Sequence, residues 1–476
     1  MRQSVLFFLQ LLLGCLVHAQ SISWEEDEWL AQPLLKGASI SMHLVDCETG
    51  EPVMGLHENR LLTPASIVKL IPSGLLLQRF TTRHTFTTQL LPEPNARMIG
   101  DTLVGDLWLI GGGDPSLASQ RMTGAKPVAL LQEEWVAALT AAGIHHIRGR
   151  VAGIPSVFPD ARIPGGYAVM DAGNYYATPS SGLSWRDNSY QLVLQSGMVG
   201  TRVSIVETMP AIPGLQHMSY VRAAGSRDNA YIYGMPGAYQ RQVTGSIPPH
   251  RDRFIIKGAV PDPALFAAQQ VQQLLQERGI TFSSAAIAGH TDWLDRNPLP
   301  TALWTNTSPA LSELLRHTLS KSDNHFAETW VRWLFPSAPD PWQALQQAFA
   351  EQLTHTFTGR LIDGSGLSRY NAVSAKDFTT FLTAMYRSAR FKDLVEVMAV
   401  AGQSGTLRLI RLPSSFTGTI YGKSGYMTGV RSYAGYYQSA SGRWYAFTMI
   451  ANNYNGSAGE MRAAFTEVMS TFDQLP

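Results

Sequence analysis

Twice in this 476-residue chain an amphipathic helical stretch runs into a Gly-Ile pair and then a short strand-like segment. The first unit is Val128 to Ala142, Gly143-Ile144 and His146 to Val151; the second is Ala264 to Arg278, Gly279-Ile280 and a polar, strand-like tail. The two lie about 136 residues apart. Such a repeat predicts one domain of paired α/β elements. The stretch between them, about Asp171 to Lys257, carries strand-like runs at Tyr190 to Leu194, Arg202 to Val206 and Ala230 to Tyr233, and reads as a β-rich insertion.

Outside the repeat the pattern changes. Ser39 to Asp46 and Val53 to Leu56 alternate like strands around the turn Asp46 to Gly50, and Leu103 to Ile110 reads as one further strand. Thr63-Pro64-Ala65-Ser66 predicts a helix start with Thr63 as N-cap and Pro64 at the first helical position, and Pro72 and Gly74 predict a kink or early stop. Helices are expected again at Pro309 to Ser320, Phe326 to Leu334 and Pro341 to Leu353. Three strands close the chain: Thr417 to Met427, Val430 to Ser439 and Arg443 to Asn452, with the turn Ala440-Ser441-Gly442 implying antiparallel pairing. The expected class is α+β with a large insertion.

Residues 1–20 read as a secretory signal, with Arg2, an apolar run from Val5 to Val17, and a small-residue cleavage site at Val17-His18-Ala19. Leu12-Leu13-Gly14-Cys15 also resembles a lipobox, which would anchor the chain through Cys15; Leu16 and Val17 continue the apolar run and favour ordinary cleavage. Either way Cys47 lacks an internal disulfide partner, which suits a bacterial periplasm. The 37 Lys plus Arg offset 36 Asp plus Glu, so the +1 net charge gives no reason to bind nucleic acid.

Only eight lysines occur in the chain, which makes lysine patterns informative. Ser66-Ile67-Val68-Lys69 is its one Ser-x-x-Lys. On a helix that spacing puts both side chains on one face, and a lysine of lowered pKa can activate a serine. Ser322-Asp323-Asn324 is the one Ser-x-Asn, between two helical stretches where an N-cap is the plain alternative. Lys423-Ser424-Gly425 is the one Lys-Ser/Thr-Gly, on a strand where Lys423 and Gly425 share a face. Singly, each is better read as structural. No His-Glu-x-x-His or His-x-His pattern exists, and the adjacent His145 and His146 read as surface residues, so neither metal nor cofactor is expected.

Together, in this order on helix, loop and strand, the three motifs resemble those of the penicillin-recognising serine enzymes. The 255 residues between Ser66 and Ser322 far exceed the roughly 60 of a compact β-lactamase. With Gly111 to Leu117 (GGGDPSL), Asp363 to Arg369 with Asn371 (DGSGLSRYN), Gly405-Thr406-Leu407 and Ser308-Pro309, the mature chain resembles the D-alanyl-D-alanine carboxypeptidase/endopeptidases called class C low-molecular-mass penicillin-binding proteins, peptidase family S13. It departs from the usual pattern in Ser424 for threonine, in Tyr426, and in a WxWxD-like stretch reduced to Trp185-Arg186-Asp187.

The resemblance implies a penicillin-binding transpeptidase-like or β-lactamase-like domain, an antiparallel sheet flanked by helices, at 21–87 and 300–476. An α/β domain would be inserted at 88–170 and 258–299, with the β-rich part at 171–257. It implies hydrolysis of D-Ala-D-Ala ends and D-Ala cross-links of peptidoglycan stem peptides, with β-lactam antibiotics as acylating inhibitors, in the periplasm or cell envelope. Ser66 would be the nucleophile and Lys69 its base, kept neutral by the like charge of Lys423. Ser322 would relay a proton to the leaving amine, and Asn324 would hold Lys69 and the substrate amide. Lys423, Ser424 and Gly425 would form the substrate-binding strand, and the backbone N–H groups of Ser66 and Tyr426 the oxyanion hole. A serine β-lactamase and a non-catalytic muropeptide-binding protein are the alternatives; the pattern Glu-x-x-Leu-Asn, which would favour the first, is absent between Ser66 and Ser322.

Overall fold

The computed structural model describes residues 24–158, 160–295 and 298–476, so the signal and lipobox readings at residues 1–20 lie outside the described residues. Six antiparallel strands form the sheet that carries the chemistry. Their order is Pro52–Leu56, Ser39–Asp46, Trp444–Asn452, Val430–Gln438, Thr419–Met427 and Ala399–Val400. Segments 39–56 and 399–452, from opposite ends of the sequence, therefore meet in one layer. The first strand pairs residue for residue with the last, from Ser39 opposite Asn452 to Asp46 opposite Tyr445.

Both faces of this sheet are covered, which is why Val430–Gln438 and Trp444–Asn452 are buried along nearly their whole length rather than at alternate residues. Ala434, Tyr436, Ala446 and Ile450 pack against Leu70–Arg79, Leu311–Lys321, Asn324–Leu334 and Ala375–Tyr386. Tyr433, Tyr437, Phe447 and Met449 face the other way, onto Trp29, Phe465, Met469 and Phe472. Cys47 is a free, buried thiol in the first of these layers.

The intervening chain builds its own core around Trp135, Trp185, Leu192 and Val271. The two repeat units sit side by side. Thr281–Phe282 adds parallel to His146–Arg148, and Ile287–Ala288 adds parallel to Val151–Pro155, with helices Val128–Ala141 and Pro263–Gln276 sharing the core. Trp304–Thr307 closes one edge of the five-stranded sheet beside Thr87–Pro92. The β-rich segment forms a three-stranded antiparallel sheet, Ser204–Met209, Ser189–Ser196 and Arg251–Ala259, and a mixed one in which Gln240–Thr244 pairs parallel with Gln216–Ser219 and antiparallel with Tyr231–Tyr233.

Two local expectations are corrected. Leu103 to Ile110 is two strands, Thr102–Val104 and Leu107–Gly111, in different sheets. Gly105, at φ +136°, turns the chain between them, and the apolar run hid this because both halves are buried. At residues 63–79 a short 3₁₀ turn, Ala65–Lys69, leads into an unbroken helix, Leu70–Arg79. Pro72 falls in the helix's first turn, where a missing N–H costs little, and Gly74 admits Phe381 and Met385 close to the backbone. Thr63 is not the cap: its N–H donates to Asn452 Oδ1 (2.9 Å) and its carbonyl accepts from Asn452 Nδ2 (3.0 Å), tying the helix entry to the end of the sheet.

Candidate active site

Ser66 lies in the 3₁₀ turn Ala65–Lys69, entered through Ala65 in a left-handed conformation (φ +51°). Two backbones crowd that entry. A side chain on Gly366 would come within 2.0 Å of the Ala65 carbonyl, and one on Gly425 within 2.9 Å of Ser66 N. Both positions therefore need glycine, and the strand Thr419–Met427 and the 363–369 loop press on the serine from two sides.

Lys69 is fully buried, and its ammonium nitrogen has three oxygen neighbours. They are Ser66 Oγ at 3.0 Å, Asn324 Oδ1 at 2.7 Å and the Ser365 carbonyl at 2.5 Å. Two of these can only accept, whereas a hydroxyl can also donate. A neutral amine has two N–H groups, so satisfying Asn324 and Ser365 leaves its lone pair for the Ser66 proton. The Asn324 orientation is itself determined, because Nδ2 donates to the Tyr176 carbonyl at 2.7 Å. Burial lowers the Lys69 pKa to about 8; the charges of Asp363, Glu328 and Asp323 hold it from falling further.

Ser322 sits at the C-terminal end of Leu311–Lys321 in a left-handed conformation (φ +59°), and Asp323 caps the next helix, Asn324–Leu334. The Ser322 hydroxyl makes no hydrogen bond among the described residues. Its neighbour is fixed more firmly. Arg121 reaches Asp323 Oδ2 (3.2 Å) and Asp187 Oδ2 (3.4 Å), and Asp187 also accepts from the Gln120 N–H and the Ser119 hydroxyl. The reduced Trp185-Arg186-Asp187 stretch thus braces the Ser-x-Asn loop through Arg121. Burial would raise the Asp323 pKa, but Arg121 and His317 hold it well below the usual carboxylate range.

Lys423 is buried, with Nζ 2.5 Å from the Ser424 carbonyl. Its pKa is depressed first by burial, then by the charges of Lys69 and Arg431. The expectation that Lys423 keeps Lys69 neutral needs adjustment: burial does most of that, and the like-charge effect falls on Lys423, since carboxylates surround only Lys69. Ser424 Oγ donates to the Thr406 carbonyl (3.2 Å) and its N–H to Thr406 Oγ1 (3.2 Å), which gives Gly405-Thr406-Leu407 its place beside the strand. The Tyr426 side chain is exposed, with Arg431 6.0 Å from its ring.

Several groups around Lys69 are given no role by the sequence expectations, although Asp363 to Asn371 is the DGSGLSRYN match. Asp363 accepts from the N–H groups of Gly366 (2.8 Å) and Ser368 (2.6 Å) and from Asn371 Nδ2 (2.7 Å). Glu328 is buried one helical turn beyond Asn324, a spacing that places both on one helix face. Tyr167 and Tyr176 come from the intervening chain and carry no motif.

Comparison with known proteins bears on the family and the fold. The family model for the D-Ala-D-Ala carboxypeptidase 3 (S13) family matches residues 24–472. A D-alanyl-D-alanine carboxypeptidase of Actinomadura sp. (strain R39) is 26% identical over 460 residues, 91% of this chain and 81% of that protein. D-alanyl-D-alanine carboxypeptidase DacB of Haemophilus influenzae is 25% identical over 450 residues, 91% and 89%. The crystal structure of penicillin binding protein 4 (dacB) from Haemophilus influenzae shares the fold, with a TM-score of 0.76 at 22% identity over 95% of this chain and 99% of that one. That likeness extends to the α+β architecture as a whole, intervening region included. Because the family pattern spans almost every described residue, the chain belongs to the D-Ala-D-Ala carboxypeptidase 3 (S13) family of serine peptidases.

Proposed function

We propose that this enzyme hydrolyses D-Ala-D-Ala ends of peptidoglycan stem peptides, and D-Ala cross-links between them, through an acyl-enzyme on Ser66. The observation that carries the reading is the Lys69 amine held by Asn324 and Ser365 with its remaining contact on Ser66 Oγ. Lys69 takes the Ser66 proton as Oγ attacks the carbonyl of the penultimate D-Ala, forming a C–O bond and an oxyanion. The N–H groups of Ser66 and Tyr426 stabilise that oxyanion, each such donor being worth about 3 kcal/mol of barrier. The close approach of Gly425 to Ser66 N supports this pairing of strand and helix entry.

Collapse of the intermediate breaks the C–N bond, and Ser322 passes a proton to the leaving amine. Water then adds to the ester, and its proton returns by the same groups. Lys423 and Ser424 receive the terminal carboxylate; an incoming anion is what favours the ammonium form of a lysine so deeply buried. Asn324 holds Lys69 and the substrate amide. Penicillin acylates Ser66 by the same first step. The catalytic sheet and its helices make up the peptidase domain, at about 21–87 and 300–476, with the α/β and β-rich regions inserted between. The site lies in the periplasm or cell envelope, with a lipid anchor at Cys15 as the alternative to cleavage after Ala19.

Intact mass after minutes with benzylpenicillin, beside a Ser66→Ala control, tests the reading. A long-lived adduct on the wild type alone supports it. Consumption of drug without an adduct identifies a β-lactamase. The absence of both an adduct and drug consumption would sink the enzyme assignment in favour of muropeptide binding.

A further inference from the structure

Glu328 belongs to none of the three motifs, yet four donors converge on its buried carboxylate. They are the backbone N–H groups of Gly364 (3.2 Å to each oxygen) and Ser365 (2.8 Å), Trp342 Nε1 (2.7 Å) and the Tyr167 hydroxyl (3.0 Å). Ser365 is also the residue whose carbonyl receives Lys69. The Ser365 carbonyl shares a rigid peptide plane with the Gly366 N–H, which donates to Asp363; Glu328 fixes the Gly364 and Ser365 N–H groups just before it, so the two carboxylates together hold the turn that aims the carbonyl at the amine. We propose that Glu328 is a positioning residue for Lys69: it holds the 363–366 turn so that the Ser365 carbonyl occupies one N–H of the amine, and Tyr167 links this hold to the inserted region.

The partners also define the form of Glu328 that does this. Backbone N–H groups and the Trp342 indole only donate, so the anion suits them. Tyr167 is the exception, because its hydroxyl lies 3.0 Å from Ser365 Oγ as well and can turn its proton either way. A proton arriving on Glu328 therefore has one hydrogen-bond acceptor, the Tyr167 oxygen, and the Tyr167 O–H then turns to donate to Ser365 Oγ. The titratable groups facing Glu328 are Asp363 on the turn, Lys69 on the nucleophile's turn and Tyr167 from the insertion. Burial and the Asp363 charge raise its pKa, so its charge is sensitive to small changes in its hydrogen bonds.

The inference rests on the acyl-enzyme reading and is tested on the mature full-length protein. Acylation rates with a fluorescent penicillin would be followed from pH 6 to 9, with melting temperature alongside, for wild type, Glu328→Gln, Glu328→Asp and Tyr167→Phe. For Glu328→Gln we expect a folded protein whose rate at pH 9 falls about tenfold or more. Its acid limb should also move to lower pH, because losing a nearby negative charge favours the neutral amine. Glu328→Asp should recover part of the rate. A folded Glu328→Gln with the wild-type rate and limb overturns the proposal. If that variant does not fold, Tyr167→Phe decides: a rate about threefold or more lower with the limb shifted the same way supports it, and an unchanged profile overturns it. A wild type that is not acylated at all refutes the acyl-enzyme reading, an outcome distinct from these.

Discussion

The Lys69 environment makes a quantitative statement about pH. Only the neutral amine can accept the Ser66 proton, and burial brings its pKa from the usual lysine range to about 8. The sign follows directly: the reactive form grows as pH rises, so acylation should climb with pH and level off above the pKa. Below it each pH unit is worth a factor of about ten, so roughly one molecule in ten is competent at pH 7 and about one in a hundred at pH 6. Second-order acylation rates with a fluorescent penicillin, at constant ionic strength from pH 5.5 to 9.5, give the profile. Lys69→Arg supplies the control, because a guanidinium keeps its proton across that range and offers no lone pair. Its rate should fall at least a hundredfold at pH 8. A flat wild-type profile, or an arginine variant with the wild-type rate, would refute the assignment of Lys69 as base.

Other perturbations follow from the same coordinates. Gly366→Ala places a methyl 2.0 Å from the Ala65 carbonyl at a φ of +78°, so acylation should drop at least tenfold with a lower melting temperature, read in the same assay and by calorimetry. Arg121→Ala strands Asp187 and Asp323 as buried carboxylates and should cost about 3 kcal/mol in urea unfolding at pH 7. Because Arg121 holds Asp323 below the usual range, that contribution is present at neutral pH and lost as pH falls through the folded value; the difference between variant and wild type should therefore shrink in acid. Ser424→Thr adds one methyl to a side chain already hydrogen-bonded to Thr406, and the acylation rate should stay within about threefold of wild type.

What was legible in the sequence is what depends on neighbours in the chain. Ser66 and Lys69 are three residues apart, and the helix-start signal around Pro64 was enough to predict one face for both, even though the turn proved 3₁₀ and Thr63 turned out to bind Asn452 instead of capping it. The paired repeat was legible for the same reason, since each unit declares itself by its own periodicity, and the parallel pairing of His146–Arg148 with Thr281–Phe282 needs only that the two units be alike. The helix Ala375–Tyr386 was missed although Ser374 and Asp377 form a capping box, a signal present in the letters. Tyr176 is a different case. Its carbonyl sets the direction of the Asn324 amide from 148 residues away, and any residue type supplies a carbonyl, so no side-chain pattern marks it. The same holds for Ser365, whose contribution to Lys69 is again main-chain. Of the groups that orient the lysine, two are therefore backbone carbonyls, and one of them, that of Tyr176, is set by where the intervening region docks. It follows that changes in that region should alter acylation without touching a motif residue, in proportion to how far they displace the Tyr176 carbonyl from Asn324.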